Sequence, residues 1–184
     1  HGFRTHSSIF YLSSLFSLPI INYDLVHVAP VFFLGFANFI FLRKIIDNSR
    51  GKNSNLYIVF LSLLNLALIN IFFYRIGEHG TDRSAQILIL LFVTELLYFI
   101  NTKDVKSSLV NELLILIFLT VSLKPFYLIY LIFIIPLVYY QKDKLNFFFE
   151  FFKNKIFYLC LLLLSLVLFT NFINTGCIVY PLVI

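Results

Sequence analysis

The chain has 184 residues, of which 60% are hydrophobic, 19% aromatic and 12% charged. A soluble domain carries about 25% charged residues, so this chain has too few polar groups to clothe a globular surface, and its composition predicts lipid as part of its solvent. The net charge of +5 does not point to nucleic acid, because the basic residues sit at the ends of apolar runs and not along one stripe.

In residues 1–24 polar and apolar side chains interleave, and Ile9, Leu12, Phe16 and Pro19 share a face. This predicts an external segment with a short helix lying in the membrane interface. The first span is 25–42, closed by Arg43-Lys44, and a polar loop follows with Gly51 as a breaker. The second span is 56–74. The loop RIGEHGTDRS, residues 75–84, is the most charged short stretch, and the third span is 85–100. After a turn at 101–106, residues 107–140 form a long, mainly apolar run interrupted at Lys124-Pro125. One helix over that range would be about 50 Å long against a hydrocarbon core of about 30 Å. Pro125 also disfavours helical geometry at Lys124, so two spans are expected, 107–123 and 126–140. Residues 141–155 set four lysines around Phe147-Phe148-Phe149 and Phe151-Phe152, the pattern of a second interfacial helix. The last span is 156–173, ended by Asn174-Thr175-Gly176. The expected fold is an all-α membrane protein, one transmembrane domain of six helices plus interfacial amphipathic helices.

Charge orients these spans. Arg43, Lys44, Arg50 and Lys52 fall in loop 43–55, Lys103 and Lys106 in loop 101–106, and Lys142, Lys144, Lys153 and Lys155 in segment 141–155. Six crossings bring all three to one face, which the positive-inside rule makes cytoplasmic. The opposite face then gathers Arg4, His6, Asp24, Arg75, Glu78, His79, Asp82, Arg83, Lys124 and Tyr180. The chain begins His1-Gly2, holds no Met, and ends as though an apolar run were opening. It reads as an internal fragment of a larger polytopic protein.

Carboxylates, guanidinium groups and a lysine at one level suit an anionic ligand, a phosphate above all. A carboxylate there could take a proton from a hydroxyl. Two readings stand for Lys124: a phosphate ligand, or a side chain snorkelling to the interface. Two stand also for loop 75–84: part of a site, or a solvated connector turned by Gly77 and Gly80. His79 has no second histidine at metal-ligand spacing, so no metal site and no cofactor is predicted, and divalent-metal dependence stays open. Glu95 and Glu112 lie inside adjacent spans at similar expected depth, as a proton relay or as structural groups near the interface. Asn38, Asn65 and Asn70 read as interhelical hydrogen-bonding groups. Cys160 and Cys177 would stand about 25 Å apart along one helix, too far for a disulfide.

Four stretches, HGFRTHSSIFYLSSLF, GTDRSAQILIL, LTVSLKPFYLIYL and NTGCIVYPL, carry a family resemblance. The layout resembles polytopic membrane glycosyltransferases of the GT-C type, among them lipid-linked-sugar-dependent protein mannosyltransferases and aminoarabinose transferases. It is most similar to an uncharacterised bacterial subgroup. The resemblance implies transfer of a sugar from a polyprenyl-phosphate donor to an acceptor at the outer, periplasmic face of a bacterial inner membrane. It implies a principal catalytic Asp upstream of residue 1, for which Asp24 is too close to the first span to substitute. Asp82, with Glu78 nearby, would be the acidic member present here. Lys124 and Arg83 would serve the lipid phosphate, with Arg75, Arg4, His6 and Tyr180 as further binding candidates. Two other functions compete: a transporter or flippase for a lipid-linked or anionic solute, and a scaffold subunit without substrate.

Overall fold

The computed structural model describes residues 28–49, 55–72, 82–102, 107–139, 149 and 152–176. Every element among the described residues is helical: α1 (Val28–Ser49), α2 (Leu56–Phe72), α3 (Asp82–Thr102), α4 (Ser107–Leu123), a 3-10 helix (Pro125–Phe133), α5 (Ile134–Tyr139) and α6 (Lys155–Thr175). The chain divides into two compact units, residues 9–94 and residues 1–8 with 95–184. Two helical stretches, Arg83–Asn101 and Lys155–Ile173, are long and apolar enough to cross a membrane, an indication of membrane association by length and composition. Segment 1–24 and nearly all of 141–151 lie outside the described residues.

In the first unit α1 packs on α2. The expected end of the first span at Leu42 falls inside α1, which continues to Ser49. Local bonds carry those extra two turns or so. Asn48 Nδ2 donates to Lys44 O at 2.8 Å, Ser49 Oγ donates to Ile46 O at 3.1 Å, and Arg43 Nε faces Asp47 Oδ2 at 3.5 Å. The ion pair is exposed and contributes at most about 0.5 kcal/mol. The Asn55 side chain accepts from Ile58 N at 3.4 Å and starts α2.

Helix α2 buries one narrow face, Ile58, Ser62, Asn65 and Ile69, spaced four, three and four residues apart. Two of those four are polar, while Phe60, Leu63, Leu64, Ile71 and Phe72 are exposed. This polarity is the inverse of a helix in water, which turns its apolar stripe inward. Helix α3 runs antiparallel to α2. Asn65 bonds Thr94, whereas Phe72, one helix end away, lies near Gln86.

In the second unit α4 buries Val110, Leu113, Leu114, Ile117, Phe118 and Val121, an i, i+3, i+4 stripe. It packs against both α6 and the 3-10 helix. Edge-to-face contact between Phe118 and Phe157, with ring centroids 6.1 Å apart, joins α4 to α6. Asn154 caps α6 by accepting from Ile156 N at 2.9 Å, and its Nδ2 donates to Asn111 Oδ1 on α4. Gly176, at φ 73°, ends α6 in the left-handed conformation that glycine adopts without a Cβ clash.

The chain breaks at Lys124 as expected. Its backbone is extended, φ −159° and ψ 131°, and Pro125 opens the next helix. That helix differs from the α-helical span expected over 126–140. Tyr127 N donates to Lys124 O at 2.9 Å, an i to i−3 bond, and the 3-10 form persists for nine residues before α5.

Candidate functional site

Two of the predicted site residues, Asp82 and Arg83, open α3. The helix begins at Asp82, three residues earlier than the expected span at 85, so Asp82 and Arg83 belong to its first turn. A carboxylate-bearing residue suits that position, where unpaired N–H groups and the helix dipole favour negative charge. Arg83 is half-buried, and Ser84 and Ala85 are buried.

Just along the helix is an apolar groove. Leu68 and Phe72 of α2 and Gln86, Ile89 and Leu90 of α3 line a concavity of about 470 Å³. Gln86 is one turn from Asp82, and Ile89 and Leu90 are about two turns from it, 6–12 Å along the axis. Gln86, the polar member of the lining, is exposed. The groove suits a hydrocarbon chain. The first turn of α3 beside it suits a polar or anionic headgroup.

Lys124 belongs to the second unit, and Asp82 and Arg83 to the first. Lys124 is half-buried at the break between α4 and the 3-10 helix. Arg4, His6, Asp24, Arg75, Glu78, His79 and Tyr180 lie outside the described residues. Among the described residues no three His, Cys, Asp or Glu side chains gather as a metal-binding group.

The three asparagines read as interhelical groups are paired. Asn65 Nδ2 donates to Thr94 Oγ1 at 2.8 Å in a buried contact, and Thr94 Oγ1 donates in turn to Leu90 O at 2.8 Å. Asn38 and Asn70 exchange bonds, at 2.7 Å from Asn70 Nδ2 and 3.4 Å from Asn38 Nδ2. Sequence reasoning missed Ser62, whose buried hydroxyl lacks a hydrogen-bond partner one turn from Asn65. Its position three residues before Asn65 on the same face was the available signal. Glu95 and Glu112, expected at similar depth, differ in exposure. Glu95 is buried, and Glu112 is exposed. Cys160 is a buried free thiol.

A family model described as "Domain of unknown function (DUF8201)" matches residues 3–184, and the chain belongs to that family. No curated protein and no solved structure matches it.

Proposed function

We propose that this DUF8201 member is a multi-pass membrane protein that carries part of the active site of a glycosyltransferase. The reaction moves a sugar from a polyprenyl-phosphate donor to an acceptor hydroxyl at the outer membrane face. The observation that carries the reading is the apolar groove between α2 and α3, opening one turn from Asp82 and Arg83. An isoprenoid chain fits the groove chemically, and its phosphate then reaches the first turn of α3. The inverted polarity of α2, with Ser62 and Asn65 inside and phenylalanines outside, supports a lipid surround.

In this reaction the acceptor oxygen bonds to the anomeric carbon of the sugar. The bond from that carbon to the phosphate oxygen breaks, and the electron pair departs on the lipid phosphate. The Asp82 carboxylate takes the acceptor proton, and Arg83 stabilises the phosphate charge. Lys124 is a separate candidate for a phosphate group.

Proteoliposomes holding the intact protein that includes this chain, supplied with a radiolabelled polyprenyl-phosphate hexose and a membrane extract as acceptor source, test this reading. Asp82→Asn is expected to lower sugar transfer by about 100-fold, the scale of a lost general base. Leu90→Trp, filling the groove, is expected to raise KM with little change in kcat. Wild-type transfer by Asp82→Asn, or no protein-dependent release of polyprenyl phosphate, overturns the proposal.

A further inference from the structure

A 3-10 helix of nine residues is unusual, because the form rarely persists beyond three or four. The sequence of Pro125–Phe133 suits it. With three residues per turn, side chains at i and i+3 stand one above another. Tyr127 and Tyr130 stack with centroids 5.5 Å apart and planes 7° apart, and Phe133 continues the column 6.2 Å from Tyr130. On the open side Phe126, Ile129, Ile132 and Ile135 are exposed at a strict spacing of three. The next exposed residue is Tyr139, four further on, where the chain has become α-helical.

Length is the physical consequence. Nine residues at about 2.0 Å and six at about 1.5 Å give roughly 27 Å for 125–139, whereas an unbroken α-helix of the same residues reaches about 22 Å. A hydrocarbon core is about 30 Å thick, and it varies by several ångströms between membranes. Among the described side chains of this segment only Tyr127 and Leu137 are buried.

We propose that residues 125–139 form a membrane crossing of adjustable length. In a thick bilayer it holds Pro125–Phe133 in the 3-10 form. In a thin one it passes to α geometry, shortening by about 4–5 Å and turning Lys124 by about 180° relative to α5. The inference rests on the membrane-spanning reading above, and it makes the placement of Lys124 depend on bilayer thickness.

Single spin labels at positions 126–135 of the full chain, in a Cys160→Ser/Cys177→Ser background, test it. The protein is reconstituted in dimyristoleoyl and in dierucoyl phosphatidylcholine vesicles, and collision with oxygen and with a water-soluble nickel chelate is measured. Oxygen accessibility is expected to peak every three residues in the thick dierucoyl bilayer and near every 3.6 in the thin one. Tyr130→Ala, which removes both ring contacts, is expected to give the 3.6 spacing in both. The same spacing in both lipids for the unsubstituted sequence overturns the proposal, and a three-residue spacing that survives Tyr130→Ala removes the ring column as its cause. Chelate accessibility along the whole segment in both lipids overturns the membrane reading itself, a result distinct from either of these.

Discussion

Helices α3 and α6 are each 21 residues long, and each holds a stretch apolar enough to cross a bilayer. Yet 56% of the α3 stretch is buried and only 11% of the α6 stretch. Both sequences report preference for an apolar environment, and neither hydropathy value says whether protein or hydrocarbon supplies it. The residue types do distinguish them. Helix α3 buries large apolar residues such as Leu88, Leu91 and Phe92 and, beside them, Ser84, Ala85, Thr94 and Glu95, of which Thr94 takes a hydrogen bond from Asn65 of α2. The exposed surface of α6 is largely leucine and phenylalanine, from Leu159 to Phe172.

This contrast is open to direct attack. Leu91, buried on α3, should cost about 2–5 kcal/mol when cut to alanine. Leu162→Ala on the open face of α6 should stay within about 0.5 kcal/mol. Unfolding titrations in bicelles measure both, and equal losses would erase the distinction between the helices. A charge is the next probe. Leu166→Lys at the middle of α6 is expected to cost about 2.5–3.5 kcal/mol of membrane insertion, read as protein lost from carbonate-washed membranes. Retention at the wild-type level would mean that lipid does not face that residue. The smallest effect sharpens the polar side of the comparison. Asn65→Val should lose about 0.6 kcal/mol, the average for an interhelical hydrogen bond. Ser165→Ala on α6 should lose nothing measurable, because Ser165 Oγ bonds only Leu162 O of its own helix.

The elements were legible where chemistry contrasts sharply along the chain. Pro125 announced the break at Lys124 because its ring restricts the preceding residue whatever the surroundings. The bounds of α4 match the expected 107–123. Elsewhere local bonds moved the ends. Asn48 and Ser49 extend α1 through residues that read as loop, and Asp82 and Arg83 are charged yet helical. The 3-10 form was hidden because every residue from Phe126 to Ile135 is apolar or aromatic, so no polar contrast exposes a period. The stacked Tyr127, Tyr130 and Phe133 held that period in their spacing alone. For the site, residue types were readable but partners were not. Asn65 was recognisable as a bonding group, but only the antiparallel register of α2 and α3 selects Thr94.

Asn154 has a consequence for biogenesis. Its carbonyl oxygen holds the first turn of α6, and its amide nitrogen clasps Asn111, a residue synthesised 43 positions earlier. One side chain thus marks where α6 starts and sets its register along α4. A slip of α6 along α4 by a single turn, about 5.4 Å, would forfeit the Asn111 bond while the cap travels with its own helix, so a threading error during insertion leaves the start of α6 intact and is penalised at the clasp.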